Sequence, residues 1–191
     1  NRILYEVKLG EEFLMSSLFT EAEEQLAHLA LARLSDKNLT VVVGGLGLGY
    51  TAAAALEHSA VSSLLVIDVM APVIDWHRRG LVPMGATLTG DPRCRLIEAD
   101  FFAVATDPER GFNDRDTRFP VDAVLLDIDH SPERWLNPGN GDFYTVSGLG
   151  SIAAKLRPGG IFGLWSDDPA DERFMALLGS VFHSTSAHEV T

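Results

Sequence analysis

The chain has 191 residues, 46% hydrophobic and 22% charged, enough to build one globular domain with a substantial core. Its formal net charge of −12 argues against a partner bound mainly through phosphates, so nucleic acid is not expected. The single cysteine, Cys94, excludes an intramolecular disulfide and a cysteine metal cluster, which fits a cytoplasmic setting. The uncharged run 38–56 nearly reaches the length of a membrane span, but its clustered glycines favour a turn in a soluble domain.

The N-terminal residues predict a β-hairpin followed by a helix. Apolar residues alternate with polar ones from Ile3 to Leu9, and Gly10 then separates them from the run Phe13–Met15. Thr20 and Glu23 match a capping box and predict a helix over 21–34. We therefore divide the chain into a hairpin region, 1–19, and an α/β domain, 20–191.

The stretch 39–56, LTVVVGGLGLGYTAAAAL, is the centre of the predicted domain. A buried strand is followed by four glycines within six positions and then by an alanine-rich helix. This order is typical of doubly wound α/β domains that hold a nucleotide-like ligand at a helix N-terminus. Glycine permits positive φ angles and leaves no Cβ atom to obstruct a ligand. The alternative is a tight crossover between strand and helix that binds nothing.

Three later apolar strands each end in an aspartate. Residues 63–67 lead to Asp68, residues 95–99 to Asp100, and residues 121–126 to Asp127. Parallel strands present their carboxyl ends at one edge of a sheet, where ligands bind. The fold predicted is therefore a Rossmann-like, doubly wound, mostly parallel sheet.

The other predicted elements complete this sheet and its helical layers. They are helices over 72–79, 143–156 and 171–181, a polar loop over 106–120, and a strand over 161–165. A last strand is indicated from Ala187, where the chain soon ends, so we expect the domain to be cut short at its C-terminus.

Two interpretations of the glycine loop compete. Gly47 to Ala52 matches GxGxxA, the loop of dinucleotide-binding folds, with Asp68 as the acid that follows. Gly45 to Gly49 matches GxGxG directly after the strand, the loop of class I S-adenosylmethionine-binding domains, and fits better. Asp68 can accept from both ribose hydroxyls and Asp100 from an adenine amine, although either acid could instead cap a helix.

With these motifs the chain resembles the spermidine synthase-like (polyamine aminopropyltransferase) branch of the class I S-adenosylmethionine-dependent methyltransferase superfamily. The resemblance covers about Tyr5 to Phe182 and depends on GGLGLG, VIDVMAPVIDWHRRG, RLIEADFF, VDAVLLDIDHSP and LRPGGIFGLWS. It implies a site for S-adenosylmethionine, its decarboxylated form or methylthioadenosine, without a metal. The residues that it implies are Gly45, Gly47, Gly49, Asp68, Val69, Asp100, Phe101 and Asp127.

The segment after the strand 121–126 is the predicted catalytic one. Family members carry D-x-x-D-P there, and Asp127 matches the first aspartate, with His130 in the place of the second. The resemblance implies that Asp127 orients an amine and accepts its proton, assisted by Asp129 or His130. A metal site formed by these three residues is disfavoured, because ligands that are adjacent in sequence cannot easily be placed independently around one ion. The remaining alternative is a strand-end acid that caps the next element.

Three departures from the family separate the functional hypotheses. Leu48 replaces an aspartate of the glycine loop, Ala27 and His28 replace a Tyr-Gln pair that touches the acceptor amine, and the N-terminal β-domain is only a hairpin. The first hypothesis is aminopropyl transfer to a small amine, as in polyamine biosynthesis. The second is methyl transfer, and the third is a binding protein without catalysis. The resemblance also implies a cytoplasmic homodimer without membrane or nucleic-acid partners.

Overall fold

A computed structural model describes residues 3–112 and 120–190. A five-stranded parallel sheet forms the centre in the order β5-β4-β3-β6-β7, and β1 and β2 form a separate antiparallel hairpin. The strands are β1 Glu6–Leu9, β2 Glu12–Ser16, β3 Leu39–Gly44, β4 Val61–Asp68, β5 Cys94–Glu98, β6 Val121–Leu126 and β7 Leu156–Leu164. The predicted α/β fold with an N-terminal hairpin is confirmed.

Helices cover both faces of the sheet, as its fully buried central strands require. They are α1 Glu21–Leu31, α2 Tyr50–Glu57, α3 Ala71–Arg78, α4 Gly85–Gly90, α5 Phe101–Thr106, α6 Val146–Lys155 and α7 Glu172–Val181, with a 3₁₀ helix over Pro138–Tyr144. No helix in the described ranges combines the length and the apolar character needed to cross a membrane.

Alternating residues of each strand supply two separate cores. Val41 and Val43 of β3 pack with α1 to α4 on one face, whereas Val42 packs with α5 and α6 on the other. Because successive side chains of a strand point to opposite faces, one short apolar run serves both layers. The two cores fix the helices on either side of the carboxyl edge of the sheet.

Helix α1 corrects two predictions. It ends at Leu31, three residues before the predicted end, because the chain continues as a tighter turn in which the Leu34 N–H donates to the Leu31 carbonyl at 3.1 Å. The predicted capping box does not form. The Thr20 hydroxyl donates instead to Oε1 of Glu24 at 2.9 Å, which leaves Glu23 free to point inward.

The C-terminal half differs from the predictions in where elements begin. Helix α6 starts at Val146 rather than at residue 143, because the 3₁₀ helix occupies the preceding residues. Strand β7 starts at Leu156, which pairs with Val121 before a register shift leads to the predicted strand. The short helix α4 was not predicted. Residues 187–190 form no strand, and part of the predicted loop 106–120 lies outside the described residues.

Candidate active site

The carboxyl ends of β3, β4 and β6 meet at one edge of the sheet, and the glycine loop crosses this edge. The Gly45 N–H donates to the Ile67 carbonyl at 2.9 Å, and the Asp127 N–H donates to the Gly44 carbonyl at 2.8 Å. Gly45 has a φ angle of +97°, and a Cβ atom there would overlap the Asp127 carbonyl oxygen. Glycine at position 45 therefore allows the ends of β3 and β6 to come together.

Asp68, at the end of β4, uses one carboxyl oxygen to hold the glycine loop and the other to hold the segment that follows β4. Oδ2 accepts from the Leu46 N–H at 2.9 Å, and Oδ1 accepts from the Met70 N–H at 2.7 Å. Burial raises the pKa of Asp68, and these hydrogen bonds offset part of that effect. Val69, which follows, is 62% exposed at the same edge. The ribose contact of Asp68 stays a prediction.

Asp100 and Phe101 lie beside each other in sequence but in different environments. Asp100 is exposed, and its Oδ1 caps α5 by accepting from the Ala103 N–H at 3.1 Å. Phe101 is 2% exposed, and its ring fills the space where a side chain at Gly44 would lie. Asp100 is thus accessible for a ligand contact, whereas the Phe101 ring belongs to the core.

Asp127 directly follows β6 and lies beside the N-terminal turn of α2. Its Oδ2 accepts a 2.6 Å hydrogen bond from the Thr51 hydroxyl. Burial raises the pKa of Asp127 to about 6, although the Thr51 hydrogen bond acts in the opposite direction. A carboxyl group with this pKa is ionised at neutral pH and can accept a proton there.

Asp129 has a structural environment. Only 2% exposed, it accepts hydrogen bonds from the Leu136 N–H at 2.8 Å, the Asn140 amide at 2.9 Å and the Tyr144 hydroxyl at 2.9 Å. These contacts hold the segment that contains the 3₁₀ helix. The pKa of Tyr144 is raised mainly by burial of its hydroxyl, and the charge and hydrogen bond of Asp129 raise it further. The geometry favours Asp127 over Asp129 as a proton acceptor.

His130 links the segment after β6 to the N-terminal hairpin. Its Nε2 lies 3.1 Å from Oε1 of Glu12 in β2. The same hairpin contacts the glycine loop, since the Leu48 N–H donates to the Met15 sulfur at 3.1 Å. The hairpin therefore bridges the segments that follow β3 and β6.

Leu48, at the position where the resemblance implies an aspartate, is 1% exposed under the hairpin. It lines a cavity of about 250 Å³ whose walls come from the hairpin, α3 and the segment after it: Tyr5, Glu6, Val7, Leu48, Trp76, Leu81 and Val82. The strand-end aspartates do not line this cavity. Packing against the hairpin thus accounts for an apolar residue at position 48.

Glu23 was not predicted as a site residue, yet the charge of Asp127 acts on its carboxyl group. It is 8% exposed, and burial and the negative charge of Asp127 raise its pKa to about 7. The sequence does carry a signal for this position. Glu23 shares a helical face with Ala27 and Ala30, both buried, so it is an acid on an apolar stripe.

The structure places Ala27 and His28 away from Asp127. Ala27 is fully buried in the core, and His28 Nδ1 lies 3.0 Å from Nε2 of His58, just after the C-terminal end of α2. Asp127 contacts the opposite end of α2.

His77 of α3 is a second residue that the sequence did not reveal. It is fully buried, and its Nε2 lies 3.0 Å from the Gly47 carbonyl oxygen. Its Nδ1 has no hydrogen-bond partner among the described residues, and burial lowers its pKa. The His77 ring packs against the glycine loop, because a Cβ atom at Gly49 would lie only 2.8 Å from Cε1 of His77.

The described part of the chain contains no group of three or more His, Cys, Asp or Glu side chains arranged to hold a metal ion. What the edge does offer is a glycine loop, an exposed carboxylate at Asp100, a buried carboxyl group at Glu23 and a half-buried one at Asp127. Such an arrangement can bind a cationic group and accept a proton from it.

No protein-family model matches the chain. Among solved structures, it is similar to spermidine synthase from Thermotoga maritima, with 19% identity over 89% of this chain and 53% of that chain and a TM-score of 0.65. It is also similar to a spermidine synthase in complex with the transition state analogue AdoDATO, with 19% identity over 90% of this chain and 56% of that chain and a TM-score of 0.69.

A third similar structure is a protein from Streptococcus mutans, named as a methyltransferase and bound to SAH. Its identity is 15% over 73% of this chain and 69% of that chain, with a TM-score of 0.51. The present chain spans about half the length of the two spermidine synthases. At these identities the comparisons show the fold, and the chain has the α/β fold shared by these spermidine synthases and this methyltransferase.

Proposed function

We propose that the chain is a transferase of the spermidine synthase type, which binds S-adenosylmethionine or its decarboxylated form and transfers an aminopropyl group from the decarboxylated form to a small amine. The observation that carries the proposal is the Asp127 carboxyl group, hydrogen-bonded to Thr51 at the carboxyl edge of the sheet. It combines a position beside the glycine loop with a pKa of about 6, which suits a proton acceptor at neutral pH.

The residues at this edge fit the adenosyl part of such a co-substrate. The loop from Gly45 to Gly49 turns through positive φ angles at its three glycines, and Asp68 lies beside it at the end of β4. Asp100 presents an exposed carboxylate at the end of β5. The glycine loop would hold the part of the co-substrate that carries the sulfur, Asp68 would hold the ribose, and Asp100 would hold the adenine.

When bound, the co-substrate supplies an electrophilic carbon next to a sulfonium: the acceptor nitrogen forms a bond to this carbon, and the electrons of the broken C–S bond leave with the sulfur. Asp127 would hold an N–H of the amine so that the nitrogen faces this carbon. Asp127 would then take up the proton that the nitrogen loses. Thr51 keeps the carboxylate in one orientation and favours its ionised form.

Methyl transfer is the second candidate, and the burial of Leu48 is the observation that favours it. The family aspartate at this position grips an amino group of the aminopropyl donor, and a leucine that is 1% exposed offers no such contact. A methyltransferase of the same fold would not need that acid.

Thermal-shift titration separates these candidates, because a ligand that binds only the folded state raises the melting temperature by mass action. The ligands are S-adenosylmethionine, decarboxylated S-adenosylmethionine, methylthioadenosine and NAD. Greater stabilisation by the decarboxylated form supports aminopropyl transfer. A preference for the carboxylated form favours methyl transfer. Stabilisation by NAD alone favours the interpretation of the loop as a dinucleotide-binding GxGxxA motif.

A variant controls for binding outside the proposed site. Asp68→Asn should weaken stabilisation by the adenosyl ligands, whereas Asp75→Asn, an exposed acid of α3 that pairs with Arg79, should leave it unchanged. If none of the sulfur-containing ligands shifts the melting temperature of the natural sequence, both transferase proposals fail.

A further inference from the structure

The sulfur of Met15, in β2, lies directly against the glycine loop. Its Sδ accepts a hydrogen bond from the Leu48 N–H at 3.1 Å, although a thioether is only a weak acceptor. A Cβ atom at Gly47, where φ is +46°, would overlap this sulfur. The thioether therefore packs against two successive loop residues, and the space between Met15 and Gly47 admits no further atom.

The peptide group between Gly47 and Leu48 is held from two sides. Its carbonyl oxygen lies 3.0 Å from Nε2 of His77, and its N–H donates to Met15. A carbonyl oxygen can only accept, so Nε2 of His77 carries the hydrogen. His77 is fully buried in α3, whereas Met15 is half-buried in the hairpin. Of these two side chains, Met15 is therefore the one exposed to reagents in solvent.

The hairpin depends on side-chain contacts for its position on the domain. In the described part of the chain, β1 and β2 pair only with each other, and a hairpin of two strands is marginally stable by itself. Met15 lies opposite Val7, which is 5% exposed, so both side chains belong to the face that packs on the domain. Glu12 adds a partly exposed contact with His130. The Met15 sulfur is thus a principal link between the hairpin and the glycine loop.

We propose that Met15 is an oxidation site, at which a hydroperoxide converts the thioether into a sulfoxide and so releases the hairpin from the glycine loop. A sulfur lone pair attacks one oxygen of hydrogen peroxide, the S–O bond forms and the O–O bond breaks. The sulfur is oxidised by two electrons, and the hydroxide that leaves takes up the proton of the transferred oxygen to become water. This inference goes beyond the proposed transferase function and does not depend on it.

The sulfoxide does not fit the contact that the thioether makes. Oxidation adds an oxygen atom to a sulfur that already touches Gly47 and Leu48. It also turns a flexible apolar side chain into a polar one, which disrupts packing. The Leu48 N–H can bond to the new oxygen only if the sulfur moves away by about the length of the S–O bond. The strand that carries Met15 must then shift from the loop as well.

Two other methionines provide internal controls. Met175 of α7 is half-buried like Met15, but its helix packs against the core that contains α5 and α6. Met70 is 39% exposed at the carboxyl edge of the sheet and is therefore readily accessible to peroxide. Within residues 3–112 and 120–190, neither side chain is hydrogen-bonded to the hairpin. Oxidation at these positions should leave the hairpin in place.

The test is hydrogen exchange measured by mass spectrometry on the natural sequence, before and after limited oxidation with hydrogen peroxide. A peptide spanning 6–16 gains the mass of one oxygen when Met15 is oxidised, so both forms are followed separately. We expect amide exchange in β1 and β2 to be about tenfold faster in the oxidised form, because the loss of an ordinary hydrogen bond shifts a local opening equilibrium by about this factor. Treatment with methionine sulfoxide reductase should restore slow exchange.

Two variants identify the sulfur responsible. Met15→Leu keeps an apolar side chain that peroxide cannot oxidise, so its hairpin exchange should be the same before and after treatment. Met175→Leu should respond to peroxide like the natural sequence. Three results would each overturn the proposal: unchanged exchange in molecules oxidised at Met15, an equal peroxide response in Met15→Leu, or Met15 remaining reduced after complete oxidation of Met70 and Met175.

Discussion

Burial shifts the two carboxyl groups of the candidate site towards their neutral forms. The pKa of Glu23 rises from 4.5 to about 7, and that of Asp127 rises from 3.8 to about 6. Burial is the main cause in both cases, and the charge of Asp127 adds to the effect at Glu23. These residues therefore cost folding free energy at neutral pH, as is common where acids serve a ligand rather than the fold.

The first prediction concerns stability. Because the pKa of Glu23 is higher in the folded state, the folded protein binds this proton more tightly, and its free energy of unfolding decreases as the pH rises from about 4.5 through 7. Glu23→Gln removes this loss. We expect it to stabilise the protein by about 2 kcal/mol at pH 8 and much less at pH 5. Thermal unfolding at both pH values measures this, and a variant less stable at pH 8 would contradict it.

The second prediction concerns Thr51. Its hydroxyl stabilises the ionised form of Asp127 across 2.6 Å, so Thr51→Val should raise the Asp127 pKa further. A hydrogen bond to a charged group contributes about 1.5–3 kcal/mol, so the acid limb of the kcat/KM profile should move up by about one pH unit. Thr106→Val, which removes a hydroxyl bonded to the Phe102 carbonyl in α5, is the control. An unmoved acid limb would exclude Asp127 as the titrating base.

At the scale of elements, the glycines have different roles. Gly45 has a φ angle of +97° and touches the end of β6, whereas a Cβ atom at Gly150 in α6 would meet open space. We predict that Gly45→Ala destabilises the protein by about 3 kcal/mol or more, while Gly150→Ala stabilises it by about 0.5–1 kcal/mol. Urea unfolding of both variants measures the difference. Equal effects would show that position 45 is not constrained by this close approach.

His130 contacts the hairpin through Glu12 of β2. His130 and Glu12 form a partly exposed pair, so His130→Ala and Glu12→Ala should each increase amide hydrogen exchange in β1 and β2. The double variant should add little, since both changes remove one interaction worth about 1 kcal/mol or less. We expect KM to rise with little change in kcat. A large loss of kcat in His130→Ala alone would restore its predicted catalytic assistance.

The sequence predicted the strands better than the helix ends. Residues 121–126 match β6 without error, because a short run that is apolar except for Asp122 and rich in Val and Leu has the length of a buried parallel strand. Helix α4 escaped prediction because its six residues contain two glycines and two threonines. A Cβ atom at Gly148 of α6 would overlap the Phe143 carbonyl oxygen, so glycine permits the close packing at that turn.

The strand-end positions of Asp68, Asp100 and Asp127 were predictable because each aspartate follows an apolar run, and their roles in binding and catalysis stay predictions. The site was not predictable where tertiary packing decides the role. Asp129 looks like its neighbour Asp127 in sequence, but its partners are 7 to 15 residues further along the chain. Glu23 matched a helix cap, and only the packing of α1 against the sheet brings it near Asp127.

At the scale of the whole molecule, two helical layers and a hairpin enclose one edge of a parallel sheet. The loop after β3 and the aspartates at the ends of β4, β5 and β6 lie at this edge. The net charge of −12 gives the molecule an acidic surface, which attracts small cations over distances limited by salt screening. A cationic acceptor is consistent with both the local and the overall charge.

The most direct test of the account is turnover of decarboxylated S-adenosylmethionine and 1,4-diaminobutane by Asp127→Asn, with methylthioadenosine and the aminopropylated amine measured by mass spectrometry. Asparagine keeps the size of the side chain but cannot accept the proton. We predict that the natural sequence forms both products and that the variant loses at least about 100-fold in kcat while methylthioadenosine still stabilises it. Unchanged turnover in Asp127→Asn, or no product from the natural sequence despite ligand binding, would contradict the account.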